Sequence, residues 1–240
     1  MTNPGKAAQF NLPLLEVIAI TPEDAVAAAH GGADRLEVVR EIGAGGLAPE
    51  LDQFQRIRDA VDLPLRVMLR TNAGFRISPR ELASLTTNTE DLRRAGADQF
   101  VFGFLDDSDE LDLVALSATL EATGPCAWTL HHAFDYAARP EHAWDLASGL
   151  PGLDCVLTGG VRGDLNLGLA TVCERARWQT SGVRWLAGGG LVPAFVAPLR
   201  EAGIGMFHIG RSARAGNSWD QPASADAVRQ WRQRLDTFGT

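Results

Sequence analysis

At 240 residues, with 45% hydrophobic and 22% charged side chains, the chain has the size and balance of one globular domain able to bury a large core. Its formal net charge of −8 excludes a general nucleic-acid or anionic-membrane surface, because either needs a basic footprint. Cys126, Cys155 and Cys173 lie too far apart for a disulfide framework or a metal-ligand spacing, and residues 1–11 hold no apolar run fit for a signal peptide or a span. A soluble cytoplasmic protein is therefore expected.

After a loose N-terminal tail (residues 1–13), residues 14–20 read as a first strand, and Thr21-Pro22-Glu23 caps an alanine-rich helix running to His30. The second strand, 35–39, leads through a glycine-rich loop, 41–47, to a helix that Pro49 opens and that continues through Ala60. Strand three is 65–70; the longer loop 71–77 precedes a helix from Ser78-Pro79 to near Ala95. Strand four, 99–104, is followed by an acidic loop, 106–109, and a helix over 110–122. Strand five is 126–131, with His132 to Asp135 in its loop, then a helix over 140–147. Strand six, 154–157, precedes a helix over 165–179; strand seven, 184–187, is broken by Gly188-Gly189-Gly190 before a helix at Val192-Pro193. Strand eight, 206–209, a loop over 210–222 and a helix over 224–235 complete the series.

One unit recurs along this path. Gly32-Ala33-Asp34 enters the second strand, Gly96-Ala97-Asp98 the fourth, Gly152-Leu153-Asp154 the sixth and, more loosely, Gly203-Ile204-Gly205 the eighth. Each glycine follows a helix and sits where a left-handed residue ends it. Eight strands, apolar on both faces and each followed by a helix, predict a single α/β domain folded as a (β/α)8 TIM-type barrel over residues 1–240. An open doubly wound sheet is the rival, but the first strand lacks the spaced glycine fingerprint of a dinucleotide fold.

In such a barrel the strand C-termini and the loops after them form the ligand face. Glu16 and Glu37 lie inside apolar strands, Arg70 ends strand three, His131 ends strand five with Asp135 close behind, Thr158 ends strand six and His208 lies in strand eight. A charge in a barrel strand is costly unless paired, so Glu16, Glu37, Arg66 and Arg70 are expected to neutralise one another, either as a structural network or as a ligand-gripping one. His131 and His132 are adjacent, so in an extended strand only one faces the mouth; His131 is the candidate, as acid, base or metal ligand, and His132 is read as surface or structural. Gly188-Gly189-Gly190 and Gly210-Arg211-Ser212 follow the strands whose loops often cradle a phosphate, with Arg211 or Arg214 adding charge; the plainer reading is tight turns.

These residues also carry a resemblance. Leu15-Glu16, Gly32-Ala33-Asp34-Arg35-Leu36-Glu37, Gly45-Gly46-Leu47-Ala48-Pro49, Arg70, His131 with Ala133-Phe134-Asp135, Leu157-Thr158-Gly159-Gly160, Ala187-Gly188-Gly189-Gly190 and the segment around His208 fall in the order of the CutC copper-homeostasis family. The resemblance runs from Leu14 to the last helix and implies a (β/α)8 barrel, a cytoplasmic location, a homo-oligomer such as a dimer, and copper. The cysteines of members with proposed copper binding fall at Ile18 and Val39 here, and the metal ligands of this chain are left unassigned.

Three readings follow. One is a copper-handling CutC protein, implied by the resemblance. Another is a barrel enzyme, isomerase- or lyase-like, acting on a small phosphorylated substrate: Arg70 and the glycine loops hold the anion, Glu16 and His131 transfer protons, and Asp135 completes the catalytic set. The third is a scaffold dimerising through apolar helix faces, with Trp144, Trp178 and Trp231 as contacts that core packing explains equally well.

Overall fold

The structure, a computed structural model, describes residues 13–178 and 182–237. The tail expected over residues 1–13 thus lies, Pro13 apart, outside the described residues. Eight parallel strands close into a barrel in sequence order: β1 Leu14–Ala19, β2 Arg35–Val38, β3 Leu65–Met68, β4 Gln99–Phe102, β5 Ala127–Leu130, β6 Leu153–Thr158, β7 Arg184–Ala187 and β8 Met206–Ile209. Outside them run α1 Pro22–Gly31, α2 Leu51–Ala60, α3 Pro79–Arg94, α4 Leu113–Thr123, α5 Ala133–Tyr136, α6 Pro140–Ser148, α7 Leu165–Arg175, α8 Val196–Glu201 and α9 Ala225–Asp236. The sequence pattern has no counterpart for α5, a single turn after β5, and α7 ends at Arg175 rather than at 179.

Local chemistry accounts for the element ends. Thr21 accepts a hydrogen bond from the Asp24 backbone N–H at 3.2 Å and Pro22 stands at the first helical turn, starting α1. Ser78 and Glu81 form a reciprocal capping box on α3. The recurrent glycines behave as the repeat requires: Gly32, Gly96, Gly152 and Gly203 all have φ between +78° and +100°, a region costly for other residues.

Strand alternation sorts the core. Leu15, Val17 and Ala19 face the helices with the large outer cluster, while Leu14, Glu16 and Ile18 face inward. Inside, Ile18, Val39, Met68 and Val101 pack together, as do Cys155, Leu157, Leu186 and Met206. The pairing of β5 with β6 shifts register at Trp128/Thr129, and Leu153 belongs to the outer cluster although Cys155, two residues on, belongs to the inner one. A bulge at Asp154 absorbs the flip and brings its carboxylate to Arg66 at 2.6 Å. Of the tryptophans offered as dimer contacts, Trp144 is buried and stacks on Trp185 at 4.4 Å, Trp231 is buried, and Trp178 is half-buried and meets Trp185 edge-on.

The ring is sealed where α1 meets the last elements. Asp24, buried on α1, accepts from the Arg214 guanidinium at 2.7 and 3.1 Å and from the Ala223 backbone N–H at 2.8 Å. Gly31 lies so close to α9 that an added Cβ would come within 2.4 Å of the Val228 Cβ.

Candidate functional site

The register of β8, β1, β2 and β3 sets Glu16 beside both Arg35 and His208, and Glu37 beside Arg66. Glu16 is fully buried; its Oε2 accepts from Arg35 Nε at 2.5 Å and its Oε1 lies 2.8 Å from His208 Nδ1. Burial alone would raise its pKa, but Arg35, then His208 and Arg66, hold it at about 2. Glu37 differs: Oε1 is buried with no hydrogen-bond partner, and the nearest cationic contact of Oε2 is His208 Nε2 at 3.8 Å. Burial, opposed by His208 and aided by the charge of Glu16, pushes Glu37 up to about 7. His208 is raised in turn, since Glu37 and then Glu16 outweigh the burial that opposes its charge.

The expected mutual neutralisation of Glu16, Glu37, Arg66 and Arg70 is therefore corrected in its pairing. Arg66 bonds Asp154, Glu16 bonds Arg35 and His208, and Arg70 donates to the backbone carbonyls of Gly45, Ala73 and Gly74. Contacts between strands depend on register, which alternation within one strand does not reveal.

Above this layer opens a cavity of about 950 Å³, walled by Glu37, Met68, Arg70, Phe75, His131, His132, His208 and the loops after β7 and β8. Glu16, Asp135 and Gly188 are not on its wall; Gly189, Gly190, Gly210, Arg211 and Ser212 are. Both histidines reach it, against the expectation that only one would. Strand β5 ends at Leu130 and the chain turns into α5, so alternation no longer separates them.

His131 is buried; its Nδ1 accepts from the Ala133 backbone N–H at 3.2 Å and its Nε2 has no partner. Burial, then Arg70 and His132, drives its pKa well below the usual histidine value, so it is neutral. His132, read from the sequence as surface or structural, is tied through Nδ1 to Asp135 Oδ2 at 3.1 Å. Asp135 also accepts from Thr158 Oγ1 at 2.6 Å, the Gly159 backbone N–H at 2.8 Å and Arg175 Nη1 at 2.6 Å. Although burial opposes it, the contacts to His132, Thr158 and Gly159 lower its pKa, so Asp135 is an anionic anchor that orients His132.

In the glycine loops, Gly189 and Gly190 have φ of +85° and +82°, and a Cβ on Gly189 would stand 1.9 Å from the Gly163 carbonyl oxygen. Turn geometry and close approach thus account for the glycines themselves. The backbone N–H groups of Gly189, Gly190, Arg211 and Ser212 make no hydrogen bond among the described residues, and these residues line the cavity. Arg214 bonds Asp24 and the Gln221 carbonyl through its Nη atoms, whereas Arg211, like Arg234 of α9, is exposed on the cavity wall.

Among the described residues no thiolate lines this site; its wall offers a soft metal the thioether of Met68. Cys155 is buried in the inner cluster with its thiol pushed up to about 11 by burial; Cys126 is half-buried and likewise raised; Cys173 on α7 donates to the Pro198 carbonyl. None lines the cavity, and Ile18 and Val39 pack as hydrocarbon. Glu16, Glu37 and His208 bring three ligand atoms within 4.8 Å of one another, but they are hard or borderline donors, and both Glu16 oxygens are already engaged.

Comparison with known proteins gives consistent results. A sequence profile of the CutC family matches residues 13–213. A CutC family protein of Xanthomonas campestris pv. campestris (strain 8004) is 34% identical over 201 residues, 83% of either chain. One from Bacteroides thetaiotaomicron is 33% identical over 217 residues, 89% of this chain and 86% of that protein. Among solved structures, the putative copper homeostasis protein CutC from Streptococcus agalactiae superposes with a TM-score of 0.76 at 19% identity, covering 82% of this chain and 98% of that one. No helix among the described residues is long and apolar enough to cross a membrane.

Proposed function

The chain belongs to the CutC family, and from that premise we propose that its barrel mouth is the active site of an acid–base enzyme, isomerase- or lyase-like, for a small phosphorylated substrate. The observation that carries this reading is Glu37: a carboxyl group on the wall of a cavity of about 950 Å³, with one orphaned oxygen and a pKa raised to about 7. A carboxylate poised near neutrality is suited to take and return a proton. Glu16, held ionised by Arg35, fixes the His208 ring through Nδ1, and His208 faces Glu37 through Nε2. The proton-transfer role that the sequence assigns to Glu16 thus passes to Glu37, and Glu16 becomes its positioning partner. The free N–H groups after β7 and β8, with Arg211, supply the anion grip.

A role in copper homeostasis, the role named for the streptococcal neighbour, is the second reading and is supported by family membership. The dispersed thiols argue that this chain would exercise it without a thiolate site in the barrel. We also infer a cytosolic location, which three separated free thiols support, and a homo-oligomer, which rests on the family.

A thermal-shift screen separates the two readings. Inorganic phosphate and phosphate esters are expected to raise Tm, the shift fading in Arg211→Glu, while Cu(I) under reducing conditions is not. A stoichiometric Cu(I) shift with no response to phosphates would sink the enzymatic reading.

A further inference from the structure

We propose that His131 is a neutral hydrogen-bond donor to the substrate, and that the substrate therefore carries a carbonyl oxygen besides its phosphate. This deepens the enzymatic reading above and rests on it. The hydrogen bonding of the His131 ring is one-sided. Nδ1 accepts from the Ala133 N–H, which commits the proton of the neutral ring to Nε2. That Nε2–H is buried without a partner on a residue that walls the cavity. Buried donors are almost always satisfied, so this one awaits an acceptor from outside the chain.

The surroundings decide which acceptor fits. His131 packs edge-on against Phe75, ring centroids 5.4 Å apart, and Phe75 in turn lies under the Arg70 guanidinium at 4.8 Å. Arg70 bonds the loop carbonyls and so has partners of its own, and after burial itself its charge opposes charging of the His131 ring, while His132 is held by Asp135. A neutral donor offers a dipole rather than a counter-charge: it suits a carbonyl oxygen that gains negative charge as a neighbouring C–H is deprotonated. The second unsatisfied group on the same wall, Glu37 Oε1, is the base such a step requires. Glu37 gains the proton, the C–H electron pair moves into the C–C–O system, and the enolate oxygen is held by the Nε2–H. Return of that proton to the same carbon restores Glu37; where this carbon bears a hydroxyl, transfer of the hydroxyl proton to the enolate oxygen lets Glu37 protonate the former carbonyl carbon instead, which leaves the carbonyl on the neighbouring carbon and Glu37 in its starting state.

The test uses a matched pair of probes, dihydroxyacetone phosphate and glycerol 3-phosphate, which differ in one carbonyl, with inorganic phosphate as the anion alone. Nitrogen-15 NMR of the full-length protein should show His131 as the neutral Nε2–H tautomer from pH 5.5 to 8, with Nε2–H moving downfield on adding the ketone only. Calorimetry should give about ten-fold tighter binding of the ketone than of the alcohol, collapsing to near parity in His131→Phe while inorganic phosphate binding is unchanged. His131→Gln, which keeps an N–H donor, serves as the second variant should the Phe ring disturb folding, and should retain part of the preference. Protonation of His131 within that pH range, equal affinities for ketone and alcohol, or no binding of the ketone overturns the proposal. If inorganic phosphate still binds, the anion site survives that failure; if it does not bind either, both fall.

Discussion

Glu16 and Glu37 stand on neighbouring strands, both buried and both inward, yet the chain treats them oppositely. Glu16 has a partner for each oxygen and a pKa held at about 2; Glu37 has an orphaned oxygen and a pKa pushed up to about 7. The difference lies in what register delivers. Strands β2 and β8 bring Arg35 and His208 directly to Glu16, whereas β3 brings to Glu37 an Arg66 already bound to Asp154. One layer of charge is thereby divided into a half that holds the barrel together and a half left free to exchange protons with a ligand.

The most forceful way to break the contrast is Glu16→Ala, which strands Arg35 in the interior and should cost about 3–5 kcal/mol in urea unfolding. Glu37→Gln should behave otherwise, and its effect should depend on pH. A carboxyl whose folded pKa lies above its unfolded value of 4.5 contributes stability that is complete below 4.5 and lost as pH rises through 7. Wild type should therefore shed about 3 kcal/mol over that window relative to Glu37→Gln, in a step shared with His208. Glu16 has the opposite sign: its contribution is complete above 4.5 and disappears as pH falls through about 2, so that limb should survive in Glu37→Gln. A pH–stability curve unchanged by Glu37→Gln would erase the distinction between the two carboxylates.

Asp135 sharpens the comparison from a third site, because it is buried and fully bonded like Glu16 but stands off the cavity wall. Asp135→Asn should cost about 2 kcal/mol in thermal unfolding through its weakened bond to Arg175, with no change in the limb assigned to Glu37. The smallest expected effect concerns the apolar residues two positions beyond the two carboxylates, Ile18 on β1 and Val39 just past the end of β2. Ile18→Cys with Val39→Cys should cost about 1 kcal/mol each and give stoichiometric Cu(I) binding tighter than that of wild type. Cu(I) binding by wild type to the same extent would mean that thiolates at these positions are not what the metal requires.

The barrel is legible because its signals are local: glycine after helix, apolar strand, polar loop, repeated at Gly32, Gly96, Gly152 and Gly203. The inward-facing charges are legible as well, since a glutamate within an apolar strand stands out. Their partners are not. Arg35 belongs to the same strand face as Glu37, a parity visible in the sequence, but its bond to Glu16 depends on how two strands are offset. His132 is misplaced whenever alternation is carried past the end of β5. Arg175, bonded to Asp135 across 40 positions of sequence, leaves no local trace at all.

The Asp24–Arg214 seal has a consequence for how the molecule is made. The residues that close the ring, and the His208 that meets Glu16, come from opposite ends of the barrel sequence. A ribosome must therefore deliver β8 and the segment leading into α9 before the first strand finds its second neighbour. Until then a nascent chain holds a layer of unpaired charge in an open sheet, so the interval before β8 emerges is the stage of barrel assembly most exposed to misfolding.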